Sequence, residues 1–220
     1  MNSFALIFDM DGTLLDNNAY HLAAWRGFLA RHGVTLTEEE YLARVSGVNS
    51  GETIRRLLGA DLQATQIASL QAEKESLYRE LISGHLEPIA GLKDFLARME
   101  SAEIPMAVAT SAPKDNIAFT LEGLGVRQYF RVVTGADMVR RAKPDPEIFL
   151  VTARRLGFTP AQCVVFEDSV SGIAAATAAG MHVVALRTAH PDAELGAADW
   201  VIDDYHGLER DRLENLILLK

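Results

Sequence analysis

Two aspartates, Asp9 and Asp11, stand two positions apart in the run Asp9-Met10-Asp11-Gly12-Thr13. In an extended chain, residues at that spacing share a face, so both carboxylates can look into one crevice. Gly12 then allows the chain to turn sharply straight afterwards. Such a pair can divide the work at phosphorus: one carboxylate attacks, forming an aspartyl phosphate, and the other exchanges a proton with the leaving or attacking oxygen. Further along lie Thr110-Ser111, Lys143-Pro144-Asp145-Pro146 and Glu167-Asp168. The hydroxyls of Thr110 and Ser111, with the N–H groups of a helix start, suit phosphate oxygens. Lys143 supplies a point charge for a negative transition state. Asp9, Asp11, Glu167 and Asp168 would repel one another if gathered in one partly buried site, which calls for a positive ion among them. Mg²⁺ is the natural choice, since it takes oxygen ligands and keeps waters that a phosphate can displace. The same crowding predicts a proton on Asp11, as a general acid needs.

Each of these residues also has a plainer use. Asp168 would cap the helix starting at Ser169, and Thr110-Ser111 would cap the helix starting near Lys114. Lys143 would be a solvated loop lysine. The conjunction argues for chemistry, and so does its placement after buried strands.

Short apolar runs at Phe4–Phe8, Met106–Ala109, Val132–Thr134, Val164–Phe166, Val183–Leu186 and Trp200–Ile202 read as strands, most of them apolar on both faces. That pattern belongs to strands buried between two helical layers. Helical stretches near Gly91–Ala102, Lys114–Leu124, Pro146–Leu156 and Ser169–Ala179 alternate with them. The expected fold is therefore α/β, a Rossmann-like parallel sheet between helices. In such sheets ligands bind at the carboxyl ends of strands, where Asp9, Thr110 and Glu167 follow their apolar runs. The stretch from Asp16 to Leu86 breaks the rhythm. It offers helical patterns at Ala19–Arg31, Glu38–Val45, Ser50–Leu58 and Gln66–Ile82, and closes at Leu86-Glu87-Pro88. The expected organisation is an α/β core of residues 1–15 plus 87–220, with residues 16–86 inserted as a helical module.

Composition narrows the function classes. The 220 residues suit one to two domains at ~150 residues each. Hydrophobic residues make up 49% and charged ones 23%, ordinary for a globular chain and wrong for a disordered or fibrous one. The formal net charge of −9 repels phosphate backbones, so no nucleic-acid partner is expected. No apolar run approaches the ~18 residues of a membrane span, and the opening run is too short for a signal-peptide core. The single Cys163 lies in an apolar run and cannot form an internal disulfide. A cytoplasmic monomer without a membrane partner is the expectation.

The stretches FDMDGTL, VATS, AKPDPEIF and FEDS resemble, in order, the four motifs of the haloacid dehalogenase superfamily of phosphotransferases. They span the α/β part from end to end, and the helical insert looks like that family's small cap. The resemblance implies that Asp9 is the nucleophile and a Mg²⁺ ligand. Asp11 would be the acid/base and would lend its backbone carbonyl to the metal. Asp168 would be a further ligand, and Glu167 a ligand or a group behind the ligands. Thr110, Ser111 and Lys143 would hold the transferring phosphoryl group. Dehalogenases proper lack an acid at the position of Asp11.

Within the superfamily, AYHLAAW and SGVNSGET look similar to the β-phosphoglucomutase-like branch. That likeness makes His21 a group near the acid/base, its plainer reading being a helix-surface or interdomain histidine, and Ser46, Gly47 and Ser50 the cap residues facing substrate. Trp25 reads as packing between cap helices. True mutases of the branch carry a lysine and an arginine where this chain has Ser46 and Ser50, and Ser50 reads as the N-cap of the next helix. Arg44, Arg55 or Arg56 could stand in for those cations, and a solvated helix face is their plainer home. Asn17 stands where many relatives carry a small hydroxyl residue, and the sequence attaches no function to it.

The expected function is a Mg²⁺-dependent phosphatase acting on a small phosphorylated metabolite, a sugar phosphate or similar phosphomonoester. An isomerase working through a sugar bisphosphate is the alternative, disfavoured by the missing cations. A non-catalytic phosphoacceptor domain is remote. Such domains carry their acceptor well inside the chain and have no helical insert.

Overall fold

A computed structural model of the chain describes residues 4–46 and 48–218, so Gly47 lies outside the described residues. The strands are β1 (Ala5–Phe8), β2 (Met106–Ala109), β3 (Val132–Thr134), β4 (Cys163–Glu167), β5 (His182–Leu186) and β6 (Trp200–Ile202). They form one parallel sheet in the order β3-β2-β1-β4-β5-β6. The chain fills one side of β1 first and then the other, so the strand order reverses between β1 and β4. That is where a doubly wound sheet opens a crevice. Phe8 is level with Val108 on β2 and Phe166 on β4, so the residues just beyond these strands emerge side by side.

Alternation along each strand builds two layers. Leu6, Phe8, Val108 and Phe166 belong to one core, where Phe8 stacks on Phe166 with ring centroids 4.7 Å apart. Ala5, Ile7, Val165 and Val183 belong to the other.

Between β1 and β2 the chain first forms α1 (Asn18–Arg31), α2 (Glu38–Arg44), α3 (Ser50–Leu58) and α4 (Ala64–Ile82). Trp25, Phe28, Leu29, Tyr41, Val45 and Ile54 are buried together among them. Burial of each such side chain contributes about 1.5–3 kcal/mol. Tyr78 and Ile82 of α4 instead join the core on the Phe8 face of the sheet. Thr37 and Glu40 make a reciprocal capping box at the start of α2. The cap of α3 corrects the sequence reading. Asn49 accepts from the N–H groups of Gly51 and Glu52, while Ser50 is the first helical residue.

The remaining helices cover the sheet: α5 (Leu92–Ser101), α6 (Lys114–Gly123), α7 (Glu147–Leu156), α8 (Val170–Ala178), α9 (Asp192–Leu195) and α10 (Arg210–Leu218). The sequence reading missed α9 and α10, because each buries a single side chain, Leu195 and Leu213 respectively. One apolar contact leaves almost no periodic signal. Among the described residues, no helix is long and apolar enough to cross a membrane.

Candidate active site

Asp9 begins where β1 ends, and its N–H still donates to the carbonyl of Phe166 at 2.9 Å. This extension of the β1–β4 ladder fixes the backbone that carries the carboxylate. Gly12 follows with φ +73°, and a Cβ there would lie 1.8 Å from Asp168 Oδ2. The glycine therefore does two things: it turns the chain and it makes room for a carboxylate arriving from beyond β4.

Lys143 is buried, not solvated, and its Nζ lies 2.6 Å from Asp9 Oδ1 and 2.6 Å from Glu167 Oε1. The other oxygen of Glu167 accepts from the N–H groups of Asp168 and Ser169, at 2.9 Å each, and from Ser169 Oγ at 3.0 Å. Gly172 permits this arrangement, since a Cβ there would stand 1.7 Å from Glu167 Oε1. Glu167 is thus a buried anchor that aims Lys143 at Asp9. The plainer reading of Asp168 fails: α8 is capped by Ser169, whose Oγ accepts from Gly172 N–H. No side chain caps α6, which follows Pro113, so Thr110 and Ser111 are not held there as caps.

One carboxylate oxygen from each of Asp9, Glu167 and Asp168 lies within 4.8 Å of the others. A single ammonium faces three buried carboxylates. Burial pushes the Asp9 carboxyl up to about 7, and Glu167 adds to the rise while Lys143 opposes it. Asp168 is raised well above its ordinary value, first by burial and then by Glu167 and Asp9. Burial also works against the Lys143 ammonium, but Asp9 and Glu167 hold it above its ordinary value. Crowded oxygen donors short of positive charge are what a hard divalent cation satisfies, so the residues fit a metal centre.

Asp11 behaves differently from the sequence expectation. Burial alone would raise it, but His21, Asn17 and Lys74 together hold its carboxyl below the usual range. Its Oδ1 accepts from Asn17 Nδ2 at 2.7 Å, and its Oδ2 lies 3.5 Å from His21 Nε2. Asp11 is therefore held toward its ionised form, because partners of its own outweigh its burial. Asn17, to which the sequence attached no role, is fully buried. It accepts from Gly12 N–H at 3.1 Å and donates to Tyr78 Oη at 2.6 Å.

His21 stacks on Tyr78, with centroids 3.9 Å apart, and its Nδ1 lies 3.3 Å from Lys74 Nζ. An ammonium has no lone pair to offer, so it donates to Nδ1, and Nε2 is the ring nitrogen that faces Asp11. Asp9, Asp11, His21, Thr110, Ser111, Lys143 and Asp168 line one cavity of about 70 Å³. Ser46, Ser50 and Trp25 line it too, so Trp25 is more than packing, although it is buried against Phe28. Arg44, Arg55 and Arg56 are exposed, as expected. Sequence reasoning missed Lys74, Glu75 and Asn116, which share the same cavity. A Lys-Glu pair on a helix reads as solvent-facing, and nothing in its spacing signals burial.

Residues 6–186 match the family described as haloacid dehalogenase-like hydrolase. The chain belongs to that family. It is similar to a fructose-1-phosphate phosphatase of Escherichia coli, with 37% identity over 182 residues covering 83% of this chain and 95% of that one. It is also 35% identical to a phosphorylated carbohydrates phosphatase of Thermotoga maritima over 181 residues, 80% of this chain and 82% of that one. Among solved structures, a β-phosphoglucomutase from Clostridium difficile superposes with a TM-score of 0.88 at 25% identity, covering 98% and 97% of the two chains. Metal use is general among phosphatases of this family, and the acidic cluster at the strand ends agrees with it.

Proposed function

We propose that this haloacid dehalogenase-type phosphatase hydrolyses a small phosphorylated sugar or polyol through an aspartyl-phosphate intermediate on Asp9, with Mg²⁺ as the cation. The observation that carries the reading is Lys143 bridging Asp9 and Glu167 at 2.6 Å each, beside Asp168 and in one cavity with Asp11. Asp9 and Asp168, with the backbone carbonyl of Asp11, would hold the metal, which supplies positive charge to the phosphoryl oxygens. Lys143 and the hydroxyls of Thr110 and Ser111 stabilise the same oxygens as charge shifts in the transition state.

In the first half-reaction an Asp9 oxygen bonds to phosphorus, the ester P–O bond breaks, and Asp11 hands a proton to the leaving alkoxide. In the second, Asp11 takes a proton from water as that oxygen attacks phosphorus, and Asp9 is released with inorganic phosphate. Asp11 rests ionised, so it takes up a proton from solvent as the negatively charged phosphoester binds beside it and raises its proton affinity, and that is the proton the leaving alkoxide receives. Asn17 and His21 keep its carboxylate aimed through both halves.

Residues 16–86 would act as the cap over a core of residues 1–15 and 87–220, closing to exclude bulk water and to select substrate by shape. Ser46, Ser50 and His21 would be its contribution to the cavity. A monomer in the cytoplasm needs no further assumption, and the one thiol, Cys163, is buried and unpaired.

The second reading, a mutase working through a sugar bisphosphate, is favoured by the superposition on β-phosphoglucomutase. It is opposed by serines at 46 and 50 in place of a lysine and an arginine. Phosphate release across a panel of sugar and polyol phosphates, with and without Mg²⁺, tests both. We expect free phosphate in the presence of Mg²⁺ and a loss of at least roughly 10³-fold in Asp9→Asn. Glucose 6-phosphate formed from β-glucose 1-phosphate without phosphate release would establish the mutase instead, and undiminished activity in Asp9→Asn would remove the covalent route.

A further inference from the structure

The helical side of the cavity carries two charged residues that the mechanism above leaves unassigned. Lys74 and Glu75 are 1% and 3% exposed, yet both line the cavity. Lys74 Nζ lies 3.1 Å from each oxygen of Glu75. Ser50 Oγ donates to Glu75 Oε1 at 2.6 Å, and Asn116 Nδ2 donates to Oε2 at 2.7 Å. Each oxygen of Glu75 thus accepts two hydrogen bonds, which fills the acceptor capacity of a carboxylate. The remaining donor of Lys74 points to His21, and its ammonium sits 5.0 Å over the Trp25 ring. Among the described residues lining the cavity, the only Lys or Arg side chains are Lys143, which serves the reacting phosphoryl group, and Lys74.

We propose that Glu75 sets the substrate preference: by neutralising Lys74 it makes the helical side of the cavity accept phosphomonoesters with a neutral, hydroxyl-bearing far end and reject those with a second anionic group. The proposal rests on the hydrolytic reading of this site. A second phosphate or a carboxylate brought into the cavity leaves water, and it must find positive charge there or be disfavoured. Lys74 is already bonded to a fixed carboxylate, so an incoming anion meets a pair with no net charge and a carboxylate at close quarters. A sugar hydroxyl loses far less on desolvation, and it meets the free lone pairs of the Ser50 hydroxyl and the other polar groups of the wall. Discrimination of this kind works by an unfavourable contact with the wrong substrate as much as by a good contact with the right one.

The test compares kcat/KM for a hexose 1-phosphate and for the matching hexose 1,6-bisphosphate, and reads their ratio within each protein. A ratio cancels any general loss of active enzyme. The wild type is expected to prefer the monophosphate. Glu75→Gln, which frees the Lys74 charge at nearly constant shape, is expected to raise the bisphosphate-to-monophosphate ratio at least about tenfold. Lys74→Gln, which leaves the carboxylate unopposed, is expected to lower it. The proposal is overturned if the wild type hydrolyses both esters equally well, or if Glu75→Gln stays folded and active with an unchanged ratio. Should Glu75→Gln fail to fold, Lys74→Gln decides alone, and a rise or no change in its ratio sinks the idea. A wild type that releases phosphate from no monoester overturns the hydrolytic reading itself, which is a separate outcome from any change of ratio.

Discussion

Two buried lysines face one cavity, and their surroundings differ in a way that separates reacting groups from supporting ones. Lys143, from the loop before α7, bridges carboxylates that follow β1 and close β4, residues far apart in sequence. Its neighbourhood is short of positive charge: Asp9, Glu167 and Asp168 converge on it, and burial drives both aspartates up. Lys74 pairs with the residue next to it, Glu75, and there the charges balance and the acceptors are filled. Glu75 is held below its ordinary value because Lys74, His21 and Ser50 outweigh its burial. A reacting centre keeps unsatisfied charge for the ligands it will bind. A supporting wall satisfies its groups in advance.

The sharpest way to break this comparison is to remove each ammonium. Lys143→Met and Lys74→Met both leave buried carboxylates without a partner, and each is expected to lower stability by about 3–5 kcal/mol in urea denaturation. Added Mg²⁺ should narrow the gap to wild type in Lys143→Met, where three carboxylates have lost their ammonium, and leave the gap unchanged in Lys74→Met, where Mg²⁺ stabilises variant and wild type alike. Equal rescue of the two variants would mean that the charge surplus at the strand ends is not what distinguishes them.

A smaller effect concerns pH in the metal-free protein. Asp9 rises from an ordinary value of 3.8 to about 7, so the folded chain holds a proton there that the unfolded chain has released. Its contribution to stability is full below about pH 4 and is lost as the pH climbs through about 7. The stability of wild type minus that of Asp9→Asn should therefore fall between pH 5 and pH 8, measured by urea midpoints with chelator present. A flat difference would show that Asp9 ionises as freely in the fold as outside it. Asp168 is raised in the same direction, in part by Asp9, so the fall belongs to the two carboxyls together, while Asp11 and Glu75 are shifted in the opposite direction.

The smallest expected change lies in the helical region. Asn49→Ala removes the side chain that accepts from Gly51 and Glu52 at the start of α3, which should cost about 1 kcal/mol. Turnover per folded molecule should stay within about twofold, because Asn49 caps the helix while Ser50 carries the contact to Glu75. A large fall in turnover would join the cap of α3 to the cavity more tightly than the hydrogen bonds indicate.

The strand-end cluster was legible in the sequence because each of its parts follows an apolar run in a chain whose strands are parallel. Parallel strands emerge at one edge, so Asp9, Thr110 and Asp168 had to meet once the runs were recognised as strands. Lys143, between Pro144 and the end of β3, was legible as a member of that set although nothing local distinguished it from a solvated loop lysine. The four helices of the insert were legible from periodicity, but their polar interior was not. Lys74 and Glu75 on α4, with Asn116 on α6 facing them, each alone have the look of surface residues, while His21 and Ser50 were reached only through the family resemblance. Their burial is a property of how those helices pack, which local pattern does not encode.

The same division runs through single residues. Residue order along the chain decided which carboxylates would share the sheet edge, since a parallel strand can deliver its last residue to only one side of the sheet. Three-dimensional packing decided their charge states, because proton affinity depends on burial and on partners from distant segments. Asp11 lies two residues from Asp9, yet Asn17 and His21 hold it ionised while burial pushes Asp9 up to about 7. Ser50 was a plausible helix cap by type, and the turn of the backbone gave that role to Asn49 and turned the Ser50 hydroxyl to Glu75 instead.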